Sequence, residues 1–231
     1  MHRPQPAVPG GPEAVRGVVT GLRTAYPEMH VIIERVIAED DLVLLHTHAV
    51  LEPGTRGQAM VGIFRVRDGK IVEHWEVMQP VPDSDVNGND MFSTLTTPAG
   101  QSPDLAVSTA ASKQVALAMF DEVTVDRDVT TFDRYGADPF YQHNPQSPNG
   151  IAAAKEQFTS AFAVNPDLSI SLKRVIAEGD YVAFHHHFQL NADDLGAAVV
   201  DIFRVRDGKV VEHWDVIQLV PATSANDNTM F

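Results

Sequence analysis

Residues 35–79 read RVIAEDDLVLLHTHAVLEPGTRGQAMVGIFRVRDGKIVEHWEVMQ, and residues 174–218 read RVIAEGDYVAFHHHFQLNADDLGAAVVDIFRVRDGKVVEHWDVIQ. Aligned without gaps at an offset of 139, the two stretches agree at 27 of 45 positions. Chance does not produce this, so the chain contains one unit twice. The period is far longer than the ~20–50 residues of solenoid repeats and predicts two whole domains. Upstream, His2-Arg3-Pro4-Gln5-Pro6 echoes His143-Asn144-Pro145-Gln146-Ser147, and downstream Asn89-Asp90-Met91-Phe92 echoes Asn228-Thr229-Met230-Phe231. These limits predict a first copy over residues 1–92, a Ser/Thr/Pro-rich linker over 93–104 and a second copy over 105–231. Residues 105–142 have no counterpart in the first copy. The first copy is therefore expected to be N-terminally truncated, to borrow the missing part from another chain, or to belong to a gene that starts upstream of Met1.

Composition narrows the classes. The chain has 231 residues, 44% hydrophobic and 21% charged, as a soluble globular protein does. No apolar run approaches the ~18 residues of a membrane span, and the N-terminus lacks the apolar core of a secretory signal. Zero Cys removes disulfides, thiolate metal sites and Cys nucleophiles, and fits a cytoplasmic location. Lys and Arg number 17 against 31 Asp and Glu, a net charge of −14. Such a chain repels phosphate backbones and anionic lipid, so neither nucleic acid nor membrane is an expected partner.

Periodicity predicts helices over 13–25, 112–123, 126–135 and 152–163. Strands are predicted over 169–178, 181–190, 199–206 and 209–220, with Asp207-Gly208 and its counterpart Asp68-Gly69 as tight turns. Helices first and an antiparallel sheet afterwards is an α+β arrangement. In the helix over 13–25, Val15, Val18, Val19 and Leu22 form an apolar stripe that the missing segment leaves uncovered, which predicts an intermolecular contact.

The helix–helix–loop–helix order, the phrase DIFRVRDGKVVEHWDVIQ and the upstream YQHNP (Tyr141 to Pro145) resemble the SnoaL-like branch of the nuclear-transport-factor-2-like superfamily. That resemblance implies two tandem cone-shaped barrels, each a curved antiparallel sheet wrapped on helices, with a small apolar ligand in the open end. It also implies dimerisation through the sheet, which a tandem chain achieves as an intramolecular pseudodimer, with or without further homo-oligomerisation. Polyketide cyclases, ketosteroid isomerases, epoxide hydrolases, dehydratases and non-catalytic binding modules share the superfamily, so the fold leaves the activity open.

Strand alternation selects the candidate residues. His185 and His187 share one face, opposite His186, and the first copy keeps His46 and His48 but has Thr47 between them. If Gly208 sits in a three-residue bulged turn, Asp201 opposes His213 and Phe203 opposes Val211. Asp201, partly desolvated with a raised pKa, is then the expected general base, with His143 or His185 polarising a carbonyl oxygen. The expected catalytic set is Asp201, His143, His185, His187 and His213, with Tyr141, Phe203, Phe162 and Trp214 as ligand contacts. Asp201 as a mere orienter of His213, and Trp214 as a sheet-to-sheet interface residue, are the competing readings. The chemistry needs no cofactor and no metal, although His185, His187, His143 or His213 with Asp201 offer a three-His, one-carboxylate set. The first copy has Gly62 at the Asp201 position, beside His2, His46, His48 and His74, and is expected to be catalytically inactive. The reading is a cofactor-free enzyme on a small, largely apolar carbonyl compound; the other is a ligand-binding or scaffold module.

Overall fold

The computed structural model describes residues 11–96 and 101–231. The first half runs α1 (Pro12–Ala25), β1 (His30–Glu39), β2 (Leu42–Val50), β3 (Gln58–Arg67) and β4 (Lys70–Pro80). The second adds α2 (Thr109–Thr124), α3 (Thr131–Tyr135), β5 (Gly136–Gln142), α4 (Ile151–Val164), β6 (Ser169–Glu178), β7 (Tyr181–Gln189), β8 (Ala197–Arg206) and β9 (Lys209–Leu219). The sheets are ordered β1-β2-β3-β4 and β5-β9-β8-β7-β6; only the β5–β9 pair is parallel. This is the expected α+β class. Among the described residues, no helix is long and apolar enough to cross a membrane.

Two local expectations change. The helix expected over 126–135 shrinks to α3, because the Asp128 carboxylate accepts the Thr130 N–H (2.9 Å), an Asx turn that competes with helix. Residues 136–142 then form β5, a strand that periodicity missed. Asp207 and Gly208 (φ 50° and 72°) make a two-residue turn, which demands positive φ at both positions. The bulge lies beyond it, at Arg204/Val205, so Asp201 opposes Asp215 and Phe203 opposes His213. The pairing slips by two residues from the expected one, and an even slip leaves every side chain on its expected face.

The sheets pack against each other through their outer faces. Ile37, Ile63, Trp75 and Val77 of one share a buried core with Ile176, Ile202, Trp214 and Val216 of the other. The polar contacts across this seam come in pairs. Ala38 N–H donates to Glu178 Oε2 (2.7 Å) and Ala177 N–H to Glu39 Oε2 (3.0 Å). Met78 N–H donates to Gln218 Oε1 and Ile217 N–H to Gln79 Oε1, both at 2.9 Å. The Arg35 guanidinium lies 3.8 Å from the Trp214 ring centre, and Arg174 lies 3.6 Å from that of Trp75. Each contact maps onto its partner by the sequence offset of the repeat, as contacts do across an isologous interface.

The other faces differ. In the second sheet α2, α3 and α4 cover the inner face with Met119, Phe120, Phe132 and Phe158 against Phe184 and Phe203. The first sheet has only α1, which contains no buried residue. Val31 and Ile33 are 50% and 56% exposed, whereas their counterparts Ile170 and Leu172 pack into the second core. The stripe of α1 likewise stays outside any core, with Val19 47% exposed.

Trp75→Ala and Trp214→Ala each remove a fully enclosed indole from the shared seam. Each is expected to cost about 3–5 kcal/mol in urea denaturation. Because the seam belongs to both halves, unfolding by circular dichroism and by tryptophan fluorescence should stay coincident.

Candidate active site

Between the helices and the inner face of the second sheet lies a cavity of about 490 Å³. Phe120, Phe132, Phe140, Phe158, Phe188 and Phe203 give it apolar walls, as is usual for a small-molecule site. One polar cluster interrupts them: Gln142, Asn144, His186, Asp201, His213 and Asp215. Alternation along β8 and β9 turns Asp201, His213 and Asp215 inward, and the end of β5 brings Gln142 and Asn144 alongside.

The cluster separates two carboxylates by environment. Asp201 accepts from His186 Nε2 at Oδ2 (2.8 Å) and from His213 Nε2 at Oδ1 (3.1 Å). Burial alone would push its carboxyl up, but the charges and hydrogen bonds of the two imidazoles outweigh this and hold it well below the usual range. The expected raised pKa at Asp201 is thus reversed. His213 donates its other nitrogen, Nδ1, to Gln142 Oε1 (2.7 Å). Burial opposes the charged ring, yet Asp201 raises its pKa above the ordinary value, and a ring donating at both nitrogens is an imidazolium. Asp215 takes the opposite course. Burial first, and then the Asp201 charge, push it up to about 6 against the pull of His213 and Asn144. Its Oδ2 accepts from Asn144 Nδ2 (2.6 Å), while Oδ1 is buried with no partner among the described residues.

The expected residues divide sharply. Asp201, His213 and Phe203 meet in the cavity. His185 and His187 do not. They face the seam, where His185 Nδ1 meets Arg174 (3.1 Å) and His187 Nε2 donates to Leu195 O (2.8 Å). Both pack on Phe231, as His46 and His48 pack on Phe92. Their recurrence in both copies reflects this repeated contact, and the varying His186 is the inward residue. His143 also points to the seam, stacked on Trp214 (4.8 Å) and bonded to Glu212 Oε1 (2.8 Å). Its neighbours Gln142 and Asn144 alternate inward instead. Trp214 is an interface residue and not a ligand contact. Tyr141 and Phe162 also lie outside the cavity lining, Phe162 beneath the Arg127 guanidinium (5.0 Å). Sequence reasoning missed Asp215, His186, Gln142 and Asn144. The signals were the Phe184-His186-Phe188 alternation and the acid that follows Trp in both copies, Glu76 and Asp215.

The histidine-rich metal set does not assemble, since His143, His185 and His187 face away. Asp201, His213 and Asp215 do bring one ligand atom each within 4.8 Å of one another. Asp201 and Gln142 engage both His213 nitrogens, so a metal bound by that ring would have to displace one of these hydrogen bonds. In the first copy, Phe64 and His74 stack at 4.3 Å over Gly62, and a Cβ there would lie 3.0–3.2 Å from both rings. The place of the Asp201 carboxylate is filled by those rings. His2 lies outside the described residues.

A family model described as SnoaL-like polyketide cyclase matches residues 114–225, and one described as SnoaL-like domain matches residues 1–74. Between them they match well over half of the chain. No curated protein matches in sequence. Among solved structures, TsrD from Streptomyces laurentii is similar at 22% identity and a TM-score of 0.40, over 48% of this chain and 91% of that one. An NTF2-like protein of unknown function from Mesorhizobium loti gives 21% and 0.42, over 48% and 93%. A SnoaL-like polyketide cyclase from Agrobacterium tumefaciens gives 14% and 0.41, over 46% and 91%.

The raised Asp215 carries a stability signature. Its folded pKa of about 6 exceeds the ordinary value of 3.8, so the native state binds the proton more tightly. Its contribution is most favourable below the unfolded value and is lost as pH rises through about 6. Two pKa units correspond to about 3 kcal/mol at most. Asp215→Asn should therefore raise the unfolding free energy at pH 8 by up to about 2–3 kcal/mol, and by almost nothing at pH 4, in urea denaturation.

Proposed function

Because the chain belongs to the SnoaL-like family and carries that domain twice, we propose that its second copy is a cofactor-free acid/base enzyme. Its substrate is a small, largely apolar carbonyl compound, and its reaction is of the aldol cyclase, isomerase or dehydratase type. One observation carries this reading: a buried carboxylate, poised near pH 6 with one oxygen unpartnered, in an apolar cavity. A general base works best when its pKa lies near the operating pH.

Asp215 Oδ1 takes the proton from the carbon next to the substrate carbonyl, and the C–H electron pair moves onto the carbonyl oxygen as an enolate. The His213 imidazolium, fixed between Asp201 and Gln142, supplies the positive field that stabilises that charge. Phenylalanine walls keep water from quenching the enolate. The enolate then takes the proton back from Asp215, attacks a second carbonyl whose alkoxide takes that proton, or re-forms the ketone system as an enone while a β-hydroxyl leaves as water with it, according to the substrate. Asp201 fits the role of the counter-ion that keeps His213 charged better than that of the base. The first copy, with Gly62 in place of that aspartate, serves as the structural half of an intramolecular pseudodimer.

Deuterium exchange into the α-position of a panel of apolar ketones, followed by NMR in D2O, tests this. Exchange should rise with pH with a midpoint near about 6, the value at which Asp215 ionises. Asp215→Asn should lower it by about 10²–10⁴-fold. Ketones that bind without exchanging in the unaltered protein would instead establish a binding module.

A further inference from the structure

Two cavity residues, Gln142 and Asn144, hold the candidate acid/base pair: Gln142 accepts from His213, and Asn144 donates to Asp215. Their own backbone is not held by the second copy alone. Asn89 Nδ2 donates to the carbonyl of Gln142 (2.9 Å), and Asn87 Nδ2 donates to the carbonyl of Asn144 (2.7 Å). The same two asparagines reach Ser147 O (2.9 Å) and Asn149 Oδ1 (3.0 Å), while Val86 N–H donates to Pro145 O (3.0 Å). All three donors belong to the tail of the first copy. The tail is tied down beyond them as well. His143 Nδ1 donates to Asp90 O, and Glu212 accepts from Leu95 N–H and Thr96 Oγ1, both at 2.6 Å. Residues 93–96 are thus docked rather than a free linker.

We propose that residues 86–96, the tail of the first copy and the segment that follows it, are a working part of the second copy's active site, with Asn87 and Asn89 as positioning residues that aim Asn144 and Gln142 at Asp215 and His213. The catalytic consequence rests on the acid/base reading above; the positioning itself does not. Each amide spans two acceptors, so the register of the 142–149 loop is fixed to within a hydrogen bond's tolerance. That tolerance matters here because Asn144 is the only hydrogen-bond partner of the Asp215 carboxylate among the described residues. The tail of the second copy repeats the pattern, with Asn226 and Asn228 in the places of Asn87 and Asn89. Its Phe231 packs on His185 and His187, and none of its residues lines the cavity that holds Asp215.

Removing either donor should let Asn144 or Gln142 drift, with a defined electrostatic result. A carboxylate is harder to ionise when it loses a donor, here Asn144, or when the neighbouring His213 ring loses the acceptor that helps hold it charged, here Gln142, so the Asp215 midpoint rises in both cases. The charged and titratable groups facing it, His213, Asp201 and His186, remain in place. The test follows Asp215 by carboxyl-carbon NMR titration in full-length protein, with the resonance assigned by its loss in Asp215→Asn. The variants are Asn87→Leu, of similar size but with neither the donor nor a new charge, and Asn89→Ala, with Asn228→Ala as the control. Asn87→Leu or Asn89→Ala should raise the midpoint by about one pH unit while unfolding stays cooperative, and Asn228→Ala should leave it unmoved. Ketone exchange at saturation should fall about tenfold in the first two, with KM within about twofold, as expected when orientation and not binding is lost. Either folded variant suffices. A midpoint that stays in place in a folded Asn87 or Asn89 variant, or moves equally in Asn228→Ala, overturns the proposal. A shifted midpoint without ketone exchange in the unaltered protein supports the positioning role and sinks the acid/base reading instead.

Discussion

Arg35 stands on the Trp214 ring at the seam between the sheets, and Arg174 stands on Trp75 in the same way. A buried guanidinium needs both a polarisable face and hydrogen-bond acceptors, because water no longer supplies them. For Arg35 the indole provides the face. The acceptors are the carbonyls of Phe92 (2.6 Å) and Ser93 (2.9 Å), with Thr94 Oγ1 (3.0 Å). Burial lowers its pKa, against the opposing pull of Tyr181 and Glu212. The consequence is topological. Satisfying Arg35 pulls the chain after β4 across the seam, and that same segment then reaches the loop that carries Gln142 and Asn144.

The inner faces of the sheets show how one sequence unit yields two outcomes. In the second half, helices close over the sheet and dehydrate a cluster of two aspartates and two histidines. Dehydration cannot favour both carboxylates equally. Asp201 collects both imidazoles and stays ionised, leaving Asp215 with one amide and a pKa near its working range. In the first half, the stacked rings of Phe64 and His74 fill the space over Gly62, and the sheet's inner strand stays half exposed. The same strands and turns are present, but among the described residues only α1 lies beside them, and it contains no buried residue.

This division of labour explains the pattern of conservation between the copies. The pairs His46/His48 and His185/His187 persist because each packs on the phenylalanine that ends its own copy, Phe92 or Phe231. Among the inward positions Thr47 against His186 and Gly62 against Asp201 vary, while Phe64/Phe203 and His74/His213 agree, so agreement between the repeats does not by itself separate the seam from the cavity.

The sequence by itself determined the duplication, the order of helices and strands, the tight turns at Asp68-Gly69 and Asp207-Gly208, and the grouping of Asp201 with His213. Those features are local: a 3.6 or 2.0 periodicity, a pair of positive-φ residues, and an offset counted along the chain. Alternation assigns residues to two faces but does not say which face is inside. Only the packing of α2, α3 and α4 decided that, and it put His186 in the cavity while sending His143, His185 and Trp214 to the seam. The proton affinities of Asp201 and Asp215 were likewise beyond local reading, because they depend on which carboxylate collects the imidazoles once both are buried. The hold of Asn87 and Asn89 on the loop at 142–149 lay further still from it, since no periodicity links groups more than 50 residues apart until the two sheets meet.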